Sequence, residues 1–229
     1  MPAGQSVLDG PRLAPASGGR PDRLVVFLHG YGADGQDLIG LGAQWARVMP
    51  SAAFLAPNAP ERCAMSPMGY QWWGIARRSP DEAEAGVLAA APLLDAFLDA
   101  ELTRAGLPPE ALALVGFSQG TMMALHVGLR RRAGPAAILG YSGALVAPAR
   151  LAAELTARPP VFLVHGDQDE VIPPAATQLA AAELGRAGLS VQWHISQGIG
   201  HGIAPDGLAL GARFLKDAFA AALARQAGG

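Results

Sequence analysis

Short, almost uninterrupted apolar runs alternate along this chain with longer stretches in which apolar residues recur every three to four positions. Leu24 to His29 is a continuous apolar run, as expected of a strand covered on both faces. Further strands are predicted at Ala52 to Ala56, Leu112 to Val115, Ala136 to Leu139, Val161 to His165 and Val191 to Ile195. Between them, Gln36 to Val48 reads as a helix with Leu38, Leu41 and Trp45 on one face. Pro80 to Ala105 contains a long helix in which Val87, Leu94 and Leu98 share a face, with Ser79 or Asp81 as its cap. Gln119 to Arg132 is helix-like, and more helices are expected near Ala147 to Ala157, at Pro174 to Ala187 and from about Gly207 to Arg225. Residues 1–22 are rich in Gly and Pro, with Ser6 to Leu8 and Arg12 to Ala14 as candidate edge strands. The alternation predicts an α/β protein with a mostly parallel sheet and helices on both faces. In such sheets the functional site lies beyond the carboxyl ends of the strands, so reactive residues should directly follow apolar runs.

Composition narrows the picture. A chain of 229 residues with 51% hydrophobic content suits one compact domain spanning 1–229, with 1–22 as an N-terminal extension or edge strands. Charged residues make up 16% and the formal net charge is −2, with no basic stripe, so no nucleic-acid partner is expected. The one dense basic run, Arg130 to Arg132, reads as a helix C-terminus complementing the dipole, with a phosphate site as the alternative. Cys63 is the single cysteine, which excludes an intramolecular disulfide and a Cys-based zinc site. No signal peptide or membrane-spanning run is apparent, and a soluble cytoplasmic protein is the default expectation.

Three polar sites directly follow apolar runs. The first is Gly116-Phe117-Ser118-Gln119-Gly120, between a predicted strand and a predicted helix. Gly-x-Ser-x-Gly in that setting is the nucleophile elbow of α/β-hydrolases, a turn so tight that the serine is strained and its flanking glycines leave out Cβ atoms that would collide. The second site is His165-Gly166-Asp167-Gln168-Asp169, and the third is Gly198-Ile199-Gly200-His201-Gly202. Their order, Ser then Asp then His, is that of an α/β-hydrolase triad. A serine hydroxyl needs an imidazole to take its proton, and the imidazole needs a carboxylate to set its tautomer. Among five histidines, His201 is the candidate base because its glycine-rich loop lets the ring reach the elbow. His126, His194, His29 and His165 read as structural, with His29 also suited to organising its own loop. Asp169 is favoured over Asp167 as the orienting carboxylate, since Val171-Ile172-Pro173 would anchor it and Asp167 would hold the loop backbone. Asp206 reads as the start of the last helix. For the oxyanion, the N–H of Gln119 is one candidate donor and that of Tyr31, in His29-Gly30-Tyr31-Gly32, is the other. That glycine-rich loop lacks both the P-loop ending and the dinucleotide-binding spacing, and no His-Glu-x-x-His run exists, so no metal or cofactor is expected.

These segments, with Pro57-Asn58-Ala59-Pro60 and Gln71-Trp72-Trp73, resemble the phospholipase/carboxylesterase family, which includes acyl-protein thioesterases and bacterial carboxylesterases. They run in order from about residue 24 to the last helix. The resemblance implies an α/β-hydrolase fold without a large cap domain and a Ser118–Asp169–His201 triad. It also implies an oxyanion hole from Tyr31 and Gln119, and cofactor-free hydrolysis of acyl esters or thioesters. Eukaryotic members usually carry leucine where Tyr31 stands, a departure that spares the backbone donor. Members are often dimers, so a homodimer is a possible assembly. Between Cys63 and Ile75, the residues Met65, Met68, Trp72 and Trp73 form either an apolar substrate-binding loop beside the elbow, which is the favoured reading, or a loop packed onto the core. Cys63 itself reads as buried and inert. The leading expectation is a serine carboxylesterase acting on short- to medium-chain acyl esters through an open site. A thioesterase or lysophospholipase using the same triad is the alternative, and a non-catalytic binder on a hydrolase scaffold a more distant one.

Overall fold

The computed structural model describes residues 8–227. In chain order the elements are β1 (Arg12–Leu13), β2 (Arg23–Leu28), α1 (Gly35–Trp45), β3 (Ala52–Leu55), β4 (Glu61–Arg62), β5 (Tyr70–Gln71), α2 (Pro80–Ala105), β6 (Leu112–Phe117), α3 (Gln119–Gly128), β7 (Ala137–Tyr141), α4 (Pro148–Glu154), β8 (Val161–Gly166), α5 (Ala175–Arg186), β9 (Val191–Ser196) and α6 (Pro205–Ala227). Seven strands form one sheet in the order β1-β3-β2-β6-β7-β8-β9, in which only β1 runs antiparallel to its neighbour.

The apolar runs are continuous because the sheet is covered on both faces. In β2, Leu24, Val26 and Leu28 join one core cluster, which also holds residues of α2, α3 and α5. Val25 and Phe27 join the other, with residues of α1 and α6. Strand β6 divides in the same way, Leu112 and Leu114 against Ala113 and Val115. Both strands therefore lack a wet face, and alternation disappears from the sequence.

Strand order reverses beside β2. The chain goes from β2 to β3 on one side and returns to place β6 on the other, with Leu28 opposite Gly116. That reversal sets the loops after β2 and β6 side by side, where ligands bind in open sheets.

Several elements differ from expectation. The helix after Ser118 stops at Gly128, short of Arg132. Past that end, Arg130 donates from Nη1 to the His126 carbonyl and pairs with Glu154, while Arg131 pairs with Asp95 and Asp99. Arg130 and Arg131 thus complement the helix end and neighbouring carboxylates, which takes two of the three cations from the phosphate alternative. Strands β4 and β5 form an antiparallel ribbon of two residues each, too short to leave a periodic signal. Leu8 lies in no strand, and Ser6 and Val7 fall outside the described residues. Ser79 caps α2 by accepting from Glu82 N–H, and the Glu82 carboxylate reaches back to the N–H groups of Arg77 and Arg78.

His126 sits inside this packing, 4% exposed, with Arg130, Arg150 and Glu154 as its charged neighbours. Burial, then the nearby Arg130, pushes its imidazole down to about 4. The unfolded chain therefore takes up a proton at higher pH than the folded one. Stability from this source is complete above the unfolded value near 6.5 and is lost as pH falls toward 4, by roughly 3 kcal/mol in the limit. Urea unfolding at pH 7 and pH 5 should show the loss, and His126→Leu should shrink it. An unchanged pH difference in the variant would contradict the assignment.

Candidate active site

The elbow is built as its sequence demands. Ser118 adopts φ +53° and ψ −117°, a strained conformation for a residue with a side chain. A Cβ on Gly116 would stand 2.3 Å from Thr121 N, and one on Gly120 would stand 1.9 Å from the Leu28 carbonyl oxygen. Both glycines are therefore steric necessities. The Ser118 N–H donates to Tyr141 O at 2.9 Å, which ties the turn to the neighbouring strand β7. Ser118 caps α3 without a side-chain hydrogen bond, so its hydroxyl is left to other partners. The loop after β2 lies directly against the turn, since a Cβ on Gly30 would be 3.3 Å from Ser118 Cβ.

His201 and Asp169 come together from loops that are distant in sequence. His201 Nδ1 lies 2.7 Å from Asp169 Oδ2. Its ring packs on Phe117, the residue before Ser118, with centroids 4.9 Å apart. Two further bonds lock the loops: Gln168 N–H donates to Ile199 O, and Ile199 N–H donates to Asp167 Oδ1. Asp167 thus holds backbone, the role expected of it.

The Asp169 side chain is fully buried and satisfied on both oxygens. Oδ1 accepts from the N–H groups of Val171 and Ile172, each at 2.9 Å. Oδ2 faces His201 and also His165 Nε2 at 3.0 Å. Burial pushes this carboxyl up, but the bonds from His201, Ile172 and Val171 outweigh it, and the net shift is downward. The His165 contact was not foreseen. His165 Nε2 also lies 2.9 Å from Ile172 O, and Nδ1 lies 2.8 Å from Thr177 Oγ1. Two acceptors at Nε2 require a proton there, and Nδ1 shares a hydrogen bond with the threonine hydroxyl.

The loop carrying Tyr31 is equally tied down. His29 Nε2 accepts from Ala59 N–H, which leaves Nδ1–H to donate to Gly30 O at 2.7 Å. Burial lowers the His29 imidazole below its ordinary value and keeps it neutral. Gly32 N–H donates to Tyr70 O, and Tyr70 N–H donates to Ala33 O. The neighbouring Cys63 side chain, ahead of burial, raises the Tyr31 hydroxyl above its ordinary value. Cys63 is buried and free. Gln119 lies first in α3, where N–H groups have no intrahelical acceptor. Its side chain is also used: Oε1 accepts from Trp72 N–H and Nε2 donates to Trp73 O, each at 2.9 Å.

The structure splits the four candidate substrate residues. Trp72 and Trp73 lie in the core, 1% and 6% exposed, and Trp73 fills the space above Gly86 of α2. Met65 and Met68 protrude, each 82% exposed. The aromatic pair thus follows the packed-loop reading. His194 and Asp206 sit apart, joined at 2.8 Å, with Asp206 also accepting from Gly207 N–H in the first turn of α6. Among the described residues no cluster of three His, Cys, Asp or Glu side chains could hold a metal, and no helix is long and apolar enough to cross a membrane.

Comparison with known proteins agrees with this architecture. The phospholipase/carboxylesterase family model matches residues 15–218. The crystal structure of esterase PE8 superposes with a TM-score of 0.89 at 46% identity, covering 92% of this chain and 98% of that one. Acyl-protein thioesterase 1 of Gibberella zeae is 28% identical over 201 residues, 80% of this chain and 85% of that protein. Esterase YpfH of Escherichia coli is 28% identical over 182 residues, 79% and 76% of the two chains. The chain therefore belongs to the phospholipase/carboxylesterase family of α/β-hydrolases, as an enzyme of the serine hydrolase class.

Proposed function

We propose that the protein is a carboxylesterase that cleaves short- to medium-chain acyl esters through an acyl-enzyme on Ser118. His201 Nε2 takes the Ser118 hydroxyl proton as Oγ bonds to the ester carbonyl carbon. The resulting oxyanion lies between the N–H groups of Tyr31 and Gln119, and α3 adds its positive end. The C–O bond to the alcohol then breaks, and His201 returns the proton to the departing oxygen. Water repeats the sequence on the acyl-enzyme and releases the acid. Asp169 keeps His201 protonated at Nδ1, the tautomer that leaves Nε2 free to act as base.

The observation that carries this reading is the 2.7 Å contact between His201 and Asp169, with the His201 ring packed on the residue before a strained Ser118. Chain length follows from the open rim. Loops 29–34, 142–147, 167–174 and 197–204 are too short to fold a cap over the elbow, and the longer segment 56–79 packs Trp72 and Trp73 into the core. A thioesterase reading is supported by the names of several relatives, that of Gibberella zeae among them, and needs only a sulfur leaving group in the same site.

Hydrolysis of p-nitrophenyl esters from acetate to palmitate, wild type beside Ser118→Ala, tests the proposal. Serine-dependent turnover that peaks at short or medium chains is expected. Vigorous hydrolysis of long-chain triglyceride emulsions by the pure protein would contradict the open site. Acyl thioesters run in parallel decide between the two leaving groups.

A further inference from the structure

We propose that Trp72 is a positioning residue that fixes the separation and aim of the two oxyanion donors. The proposal rests on the assignment of the Tyr31 and Gln119 N–H groups as those donors. They belong to different elements, Tyr31 to the loop after β2 and Gln119 to the start of α3. The β2–β6 pairing and the close approach of Gly30 and Gly120 bring the two elements together, and the side chains that bridge them set the aim of each peptide.

Trp72 touches both sides. Its backbone N–H donates to Gln119 Oε1 at 2.9 Å, and the next carbonyl, Trp73 O, accepts from Gln119 Nε2 at 2.9 Å. Its indole Nε1–H donates to His29 O at 3.0 Å. The His29 imidazole, fixed by Ala59 N–H on one nitrogen, donates from the other to Gly30 O. The Gly30 carbonyl and the Tyr31 N–H belong to one planar peptide unit and point in opposite directions. Holding the carbonyl oxygen therefore aims the N–H. The Trp72 indole holds the preceding peptide in the same manner, through the His29 carbonyl. A continuous chain results, from the Gln119 amide through Trp72 to the His29 and Gly30 carbonyls, and so to Tyr31 N–H.

Every side chain in this chain is buried: Trp72 is 1% exposed, His29 0% and Gln119 3%. The Trp72 and His29 rings lie 6.0 Å apart. Buried hydrogen bonds of this kind have no water to replace them when one is removed. The site gains from that rigidity, because an oxyanion donor works only where the developing charge will stand. A misplacement of about 1 Å can cost on the order of 100-fold in rate.

The test is Trp72→Phe, which keeps the apolar ring and deletes the indole N–H. The expected result is a 10- to 100-fold fall in kcat with KM nearly unchanged. Two inhibitors separate positioning from general damage. A trifluoromethyl ketone that Ser118 converts to an anionic hemiketal should lose affinity by the same factor as kcat/KM. The unreactive ether isostere of the substrate should bind as before. Gln119→Met, which keeps the backbone donor and removes both side-chain bonds, should behave alike. The double variant should lose about as much as the worse single one, since one break already disconnects the chain.

Unchanged kcat in folded Trp72→Phe would overturn the proposal. So would equal loss of affinity for both inhibitors, or fully additive losses in the double variant. Should Trp72→Phe fail to fold, Gln119→Met alone decides by the same readouts. Ester turnover surviving in Ser118→Ala would instead sink the underlying triad, whatever the Trp72 variants do.

Discussion

Asp169→Asn lowers kcat for ester hydrolysis by about 10⁴-fold while the protein stays folded. The reason lies in how the two carboxylate oxygens are used. Oδ1 accepts from the N–H groups of Val171 and Ile172, so in the variant only the amide oxygen can occupy that place. The amide nitrogen is then forced to the Oδ2 place, facing His201 Nδ1 and the His165 Nε2 proton, which keeps Ile172 O as its acceptor. An NH₂ group there donates to His201 Nδ1 and drives the imidazole proton to Nε2. In that tautomer His201 cannot take the Ser118 proton. The two backbone bonds survive, and with them the loop. The check is kcat beside the thermal midpoint. A loss of less than about 10-fold would mean that Asp169 does not set the tautomer. The wild-type carboxyl is held below its ordinary value, so its contribution to stability is complete above about pH 4 and is lost only as pH falls further. The effect of Asp169→Asn on turnover should therefore be visible at neutral pH without any acid-induced unfolding.

Gly120→Ala should leave little folded protein. The added methyl would stand 1.9 Å from Leu28 O, 2.4 Å from Leu28 C and 2.8 Å from His29 O. All three atoms are backbone, at the end of β2 in the interior of the sheet, and none can swing aside as a side chain tip would. Relief requires α3 to move off the strand, which also moves Ser118. Overpacking typically costs about 1–3 kcal/mol, and because only backbone atoms stand in the way here the expected cost lies above that, at about 4 kcal/mol. Gly40→Ala is the internal control. Gly40 is an exposed position in α1 with open space around its Cβ, and alanine there should stabilise by up to about 1 kcal/mol. Soluble yield and thermal unfolding of the two variants check the contrast, and near-native stability of Gly120→Ala would refute it.

The parts of the molecule that were legible in its sequence are those whose residues repeat a physical constraint. Strands β2, β6 and β8 are covered on both faces, so each reads as a solid apolar run. Ser118, Asp169 and His201 follow such runs in an order with chemical meaning, and the structure places Asp169 against His201. What was not legible lacks repetition. The β4–β5 ribbon pairs only two residues with two. In the segment from Cys63 to Ile75, Met65 and Met68 protrude while Trp72 and Trp73 are buried, and apolar character alone cannot say which of these a residue does without a period to follow. Gln119 offered its N–H to inspection, yet its side-chain amide bonds the backbone around Trp72, 47 residues away in sequence. His165 was read as structural, and its contact with Asp169 depends on the course of a loop that no periodicity describes. A helix to Arg132 is expected because the arginines suit a helix C-terminus, whereas α3 stops at Gly128 and ion pairs with Asp95, Asp99 and Glu154 hold Arg130 and Arg131 against other elements.

The most direct test of the central claim is to label the protein with a fluorophosphonate and locate the adduct by peptide mass spectrometry. The account predicts one adduct per chain, on the Ser118 hydroxyl, formed in step with loss of esterase activity and absent from Ser118→Ala. An adduct on any other residue, or esterase activity that persists in Ser118→Ala, would contradict it.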